Sequence, residues 1–415
     1  MLQPNRLLRI ALVTPMLPLP DDRTRGRYIF ETAAALARRA DVRVYFQLNR
    51  YPQPGWLGWR SLLRGDIDEH YASNGLDVEC FSYPSVRFAT RLLNGLTSSR
   101  YLTPRIAAFA PDIVIGYWVY PDGFAALRAA RSLGVPCLIG ALGSDVHVRY
   151  GIQSWLTGRA IRGADGLLTV SEAMRVAAVR DFGAAVERVH TIVNGFDTGV
   201  FGPGTMREAR DQLGLPQAGR LVVYVGRLVA AKGLRELLHA FRSLSRGLPP
   251  CRLAIVGDGP MRDELERAVV ATGLAGRVHF AGGLEPPAVA AWIRASNLLT
   301  LPSWSEGYPN VVVEALACGR PVVATDVGGT RELVDRSNGI LIPPRRPEAL
   351  ANAIRQALDR NWDHAAIAAR MKRTWNDVAQ ETLEICLRLT AAGPSSRITP
   401  AACQPLTTRS GAGAR

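Results

Sequence analysis

Lysine is almost missing from this chain. Lys232 and Lys372 are the only two, and arginine carries nearly all of the positive charge. None of the six cysteines (Cys80, Cys137, Cys251, Cys318, Cys386 and Cys403) forms a C-x-x-C pair, and no histidines pair at metal-ligand spacing. That pattern argues against a structural zinc site and for a reducing compartment, with Cys318 expected to be a small buried apolar residue. No apolar run approaches the ~20 residues needed to span a bilayer. The short apolar run before Thr14 is expected to be a core strand, not a signal peptide, and the expected location is the cytoplasm. No internal repeat or heptad is present.

What is there describes an ordinary globular protein. The 415 residues leave room for two domains, at 47% hydrophobic and 21% charged composition. The net charge of +14 raises the possibility of a basic nucleic-acid-binding protein. No nucleic-acid motif or stacked aromatic platform accompanies it, so no nucleic-acid partner is expected.

The most informative stretch is Ser303-Trp-Ser-Glu-Gly-Tyr-Pro-Asn-Val-Val-Val-Glu-Ala-Leu-Ala-Cys-Gly-Arg-Pro321. Pro309 suits a first helical turn, Val311 to Cys318 read as the helix body, and Gly319 reads as a left-handed stop before a strand. Glu306 precedes the helix and Glu314 lies within it. Between them, the free N–H groups from about Tyr308 to Val311 offer positive dipole ends to an anion. A ligand with hydroxyls at both ends and phosphate in the middle fits this spacing, which describes a nucleotide sugar. The candidate contacts are Glu306, Gly307, Tyr308, Pro309, Asn310, Val311 and Glu314. The plainer alternative makes Glu306 a helix cap and Glu314 a solvated face residue.

Arg227 and Lys232 stand five residues apart in Val225-Gly-Arg-Leu-Val-Ala-Ala-Lys-Gly233. Both are cations near neutral pH and are suited to neutralising a diphosphate. Together with Ile255-Val-Gly-Asp-Gly-Pro260, Asn194-Gly-Phe-Asp197 and the Glu306-x7-Glu314 stretch, this loop resembles the retaining glycosyltransferases of family four.

The resemblance implies an α/β chain of the GT-B type, with two Rossmann-like doubly wound domains facing each other across a cleft. It implies transfer of a sugar from a nucleotide-diphosphate donor to an acceptor hydroxyl, with retention, in polysaccharide, lipopolysaccharide or glycolipid synthesis. Glu306 would hold sugar hydroxyls and Glu314 the ribose, while Arg227 and Lys232 would hold the diphosphate. Gly26 would approach the donor, and Val278 to Gly283 would pack the base. Neither cofactor nor metal is expected. Asp66-Ile-Asp68 matches a D-x-D metal motif but lies in an insertion, and coincidence is the preferred reading.

Along the chain, strands at Leu8 to Val13, Val42 to Phe46, Val78 to Phe81, Ile113 to Ile115, Val135 to Ile139, Leu167 to Val170 and Val189 to Val193 alternate with helices. The first domain is expected over 1–193 and the nucleotide-sugar domain over 194–370. A helix over 371–390 would return to the first domain, and a disordered tail is expected over 391–415. The stretch 50–105 is looser. Its Trp56, Leu57, Trp59, Arg60, Arg64, Arg87, Phe88 and Arg91 suit an anionic membrane surface, where a lipid-linked acceptor would be found.

In Gly140-Ala-Leu-Gly-Ser-Asp-Val-His147, Asp145 is a candidate to hold or deprotonate the acceptor, with Ser144 beside it. Many family members place a histidine where Leu142 stands, and His147 is a weaker substitute. A rival within enzymes is a sugar-nucleotide epimerase on the same fold.

Overall fold

The computed structural model describes residues 6–19, 22, 25–52, 59–61, 75–85, 93–143, 145–146, 151–245 and 251–393. Two sheets organise it. The first contains β1 (Arg9–Thr14), β2 (Asp41–Pro52), β3 (Trp59–Ser61), β4 (Asp77–Pro84), β5 (Ile113–Tyr117), β6 (Cys137–Ala141), β7 (Gly166–Thr169) and β8 (Val189–Thr191). Its order is β3-β2-β1-β5-β6-β7-β8, with β4 also paired to β2, and every pairing except β2 with β3 is parallel.

The second sheet contains β9 (Arg220–Val225), β10 (Cys251–Val256), β11 (Val278–Gly282), β12 (Leu298–Leu301), β13 (Val322–Thr325) and β14 (Gly339–Ile342). It is wholly parallel, in the order β11-β10-β9-β12-β13-β14.

The buried runs explain this arrangement. In β1 the residues Ile10 and Leu12 face one core and Ala11 and Val13 the other, because strand side chains alternate in direction. A strand apolar on both faces needs helices over both, which parallel crossovers supply. The core containing Ile10 and Leu12 also holds Val378, Ala379, Ile385 and Cys386 from the helix Trp375–Ala392. That helix therefore packs on the core of the first sheet.

Several expectations need correction. The helix expected over 371–390 begins only at Trp375, after a separate short helix, His364–Ala369. Thr374 separates them. Its hydroxyl accepts from Asp377 N and the Asp377 carboxylate accepts from Thr374 N, a capping box that restarts the helix. The helix then runs through Ala392, two residues past its expected end at 390. The looser stretch contains the start of a regular helix, Asn94–Phe109, which tolerates Pro104 in its interior. Strand β12 and the helix Pro286–Ala295 were not expected from the sequence.

Trp56, Leu57, Arg64, Asp66, Asp68, Arg87, Phe88, Arg91, Ser144 and His147 lie outside the described residues, as does the tail from residue 394. Among the described residues no helix is long and apolar enough to cross a membrane.

Ile385, 4% exposed, tests the docking of the returning helix. Ile385→Ala is expected to lower the unfolding free energy by about 2–5 kcal/mol through lost burial and a residual cavity. Urea titration followed by tryptophan fluorescence checks it.

Candidate functional site

Both sheets reverse their strand order at one point, between β1 and β5 in the first and between β9 and β12 in the second. Open α/β sheets bind ligands at the carboxyl ends of the strands flanking such a point. The chain leaving β9 carries Arg227 and Lys232, and the chain leaving β12 carries Glu306. The two expected motifs therefore meet at the second switch point, although more than seventy residues separate them.

A close backbone approach makes the meeting exact in register. Gly233 has φ +66°, and a Cβ there would stand 2.0 Å from the Pro302 carbonyl oxygen. Only glycine permits both the left-handed turn and the contact. Trp304 N donates to Ala231 O at 2.8 Å beside it. The two loops are thus fastened together, and Lys232 Nζ reaches Glu306 Oε1 at 2.6 Å. With side-chain exposures of 26% and 10%, this pair is far less screened than a surface ion pair. The sequence placed Lys232 on the diphosphate and Glu306 on the sugar; the structure adds that each is the other's partner.

The helix after this loop spans Asn310–Ala317, with Pro309 in the N-cap position, one place earlier than the first helical turn expected for it. Its backbone bonding begins with Val312 N to Pro309 O at 2.9 Å, so the amides of Asn310 and Val311 project from its tip. Asn310 also bonds the segment where the chain crosses between the domains, its side-chain oxygen accepting from Asn194 Nδ2 at 2.8 Å. Gly319 stops the helix region at φ +73°, as expected.

Among the described residues no hydrogen-bond or ion-pair partner meets the Glu314 carboxylate, and burial pushes its pKa up to about 7, opposed by the field of Arg27. Arg27 belongs to the first domain, where it opens the helix Arg27–Ala37 and pairs with Glu31. Glu314 is partly buried on the helix and lies within the field of a first-domain cation, unlike a fully solvated face residue. Tyr308 is half-buried on the same loop, its phenol raised to about 12 by burial.

Gly26 caps the Arg27–Ala37 helix in a left-handed conformation, and a Cβ there would stand 2.4 Å from Met16 O. It sits at the first switch point, next to Arg27. Arg25, which the sequence reading passed over, donates to Pro15 O at 2.6 Å and feels the positive charge of Arg227 across the cleft. Its position beside Gly26 was the available signal.

Asp145 departs from its expected role. Its carboxylate accepts from Gly143 N at 2.8 Å, Leu142 N at 3.1 Å and Val119 N at 3.3 Å. It is 4% exposed, and its oxygens are turned to the backbone. The geometry makes it the organiser of the loop that carries Leu142 and Gly143, while burial raises its pKa against those three donors. Another first-domain acid was missed: Asp122, buried beside Gln47, which donates to it, and raised to about 7 by burial.

His279 stacks on Trp292 with ring centroids 5.2 Å apart.

The raised carboxyl groups have a testable sign. A buried acid with a folded pKa above its unfolded value binds a proton in the folded state that the unfolded state has lost, so stability falls as pH rises through that window. The window for Glu314 and Asp122 runs from the ordinary carboxyl range to about 7. Glu314→Gln is expected to flatten the fall by up to about 3 kcal/mol. Melting temperature measured from pH 5 to pH 7.5 in both proteins checks it.

Comparison with known proteins agrees with this geometry. Residues 219–360 match the family described as "Glycosyl transferases group 1", and residues 25–195 match a "Glycosyl transferase 4-like domain". The chain is 35% identical over 259 residues to a putative teichuronic acid biosynthesis glycosyltransferase of Bacillus subtilis, covering 59% of this chain and 60% of that protein. An alpha-D-kanosaminyltransferase of Streptomyces kanamyceticus is 32% identical over 248 residues, 55% of this chain and 63% of its own length. The chain thus spans about six-tenths of the length of these two relatives. A D-inositol 3-phosphate glycosyltransferase of Catenulispora acidiphila matches more fully, at 33% identity over 86% of this chain and 88% of its own length.

Among solved structures, a sucrose-phosphate synthase of Thermosynechococcus elongatus superposes with a TM-score of 0.75 at 22% identity, covering 93% of this chain and all of that one. HepE of Anabaena, solved with UDP and glucose, gives 0.72 at 21% identity, covering 92% of this chain and all of that one. These likenesses establish the GT-B fold. With its two sheets, the loop pair joined at Lys232 and Glu306 and the matches over both halves, the chain belongs to the group 1 family of glycosyltransferases.

Proposed function

We propose that this protein transfers a sugar from a nucleotide-diphosphate donor to an acceptor hydroxyl, with retention at the anomeric carbon. The observation that carries the reading is the 2.6 Å Lys232–Glu306 pair at the tip of the Asn310–Ala317 helix, on the second switch point. Lys232 has three N–H donors, so one engages Glu306 while the others remain for phosphate oxygens. Arg227 is exposed on the same loop, and its guanidinium supplies further donors in a planar fork.

Departure of the diphosphate is the step these groups favour. Negative charge accumulates on the leaving oxygen as the sugar bond breaks, and Lys232, Arg227 and the helix tip meet it without reorganising. The acceptor hydroxyl attacks from the face the diphosphate leaves, so the hydroxyl proton passes to a departing phosphate oxygen. The ring carbon gains one C–O bond as it loses another. Glu306 orients sugar hydroxyls and Glu314 the ribose. No metal enters this scheme.

The HepE structure was solved with UDP and UDP-glucose, which supports a uridine nucleotide as the first donor to try. The teichuronic acid relative supports an acceptor in cell-surface polysaccharide or glycolipid synthesis. Exposed Leu93 and Leu96 on one helix, and Ile152 and Trp155 on another with Arg159 over the Trp155 ring, support docking of the first domain on an anionic membrane.

Two outcomes are expected. Lys232→Ala lowers turnover about 10²–10³-fold, the effect of losing one such donor from a developing anion, and turnover rates on a donor selected by thermal shift check it. Retention of full activity would refute the reading. The full chain also co-sediments with phosphatidylglycerol vesicles at low salt and is released at high salt; no sedimentation at low salt would discard the membrane contact.

A further inference from the structure

One loop of the second domain reaches both the donor site and the first domain. Gly328 lies so close behind Glu306 that a Cβ would stand 1.8 Å from its carbonyl oxygen, and Gly329 N donates to Gly307 O at 3.0 Å. The chain then enters the short helix Thr330–Leu333. From that helix Glu332 extends its carboxylate to the first domain. One oxygen accepts from Glu172 N at 3.0 Å and the other from Ala173 N at 3.0 Å.

Those amides are the first two of the helix Glu172–Phe182. The helix's own cap, Ser171, accepts from Met174 N and leaves these two for another acceptor. The positive end of the helix therefore attracts a carboxylate that belongs to the opposite domain. The neighbouring charges leave the contact undisturbed. Glu172 turns its own carboxylate to Arg175 and Thr191, and Arg331 is held by Asp326 through two bonds.

Backbone surfaces meet on either side. Gly307 rests on Leu142 and Gly143, where an added Cβ would come within 2.6 Å of the Leu142 carbonyl oxygen, and a Cβ on Gly329 would meet Ser171 Cβ at 2.8 Å.

We propose that Glu332 is a clasp between the domains, a positioning residue that holds the cleft shut and ties closure to the segment carrying Glu306. The same loop backs Glu306 and Gly307, so separating the clasp releases the donor-side wall as well as the first domain. Closure excludes water from the site and keeps its charged groups in register, while opening admits the donor. The consequence for turnover rests on the proposed function; the clasp itself does not.

The test uses the full-length, ligand-free protein. Amide hydrogen exchange of Glu172 and Ala173 is expected to speed up at least tenfold in Glu332→Ala, with the amides of Ala178 and Val179 unchanged. X-ray scattering is expected to show a larger radius of gyration. Glu332→Gln, which keeps one acceptor oxygen, falls between. If Glu332→Ala fails to fold, Gly329→Ala wedges the same rim and is expected to raise the radius of gyration likewise.

Exchange and scattering indistinguishable from wild type would overturn the proposal. With a donor in hand, Glu332→Ala is expected to raise the donor KM at least fivefold with less than a twofold fall in kcat; a fall confined to kcat would also overturn it. Because exchange and scattering are read without ligand, failure of the clasp and failure of the glycosyl-transfer reading give different results.

Discussion

The site depends on a backbone contact made before any charge is considered. The turn at Gly233 presses against the carbonyl of Pro302, and that pressure sets the distance between the loop after β9 and the loop after β12. Lysine and glutamate have long, floppy side chains whose ordering costs entropy. Fixing both loops at their base reduces the freedom that must be given up when Lys232 and Glu306 pair. An ammonium and a carboxylate then lie in a partly dry crevice, where the low dielectric strengthens the interaction of each with a bound charged group.

The two domains present unlike surfaces to one another. The field of Arg27 reaches Glu314, and that of Arg227 reaches Arg25, where Asp22 opposes it. The first is an attraction between halves, the second a repulsion that a polyanion between them would relieve. A ligand with a carbohydrate or ribose end and a charged middle answers both demands at once. Asp122 shows what the arrangement costs, since it is a carboxyl group kept from water with few donors to compensate it, and Glu314 shares that cost in part.

Much of this could be read from residue order alone, and the failures have physical causes. The Glu306–Glu314 helix was legible because proline, a periodic apolar stretch and glycine mark its beginning, body and end. Strand β12 was not, because Leu298–Leu301 has no alternation and adjoins an alanine-rich helix, so a buried apolar run gives no period to read. The partition of the last helices failed for a local reason: Thr374 and Asp377 form a reciprocal cap inside a stretch of good helix formers.

The role of Asp145 was misjudged because an aspartate two residues after a glycine looks the same whether it faces a substrate or its own loop. Its three backbone donors come from two separate segments, Val119 and Leu142–Gly143, and only the fold brings them together. Glu332 was invisible for the same reason, since its partners stand 159 and 160 residues away.

The polypeptide passes between the halves twice, and the two passages lie side by side. Phe196 bridges Thr374, and Arg373 Nε donates to Val193 O at 2.8 Å. A single tether would let one lobe swivel freely about the other. A doubled strap works like a door with two hinge pins: it permits swinging about one axis and resists twisting about the rest. Lobes swinging on such a strap would return to the same alignment, without a search through orientations.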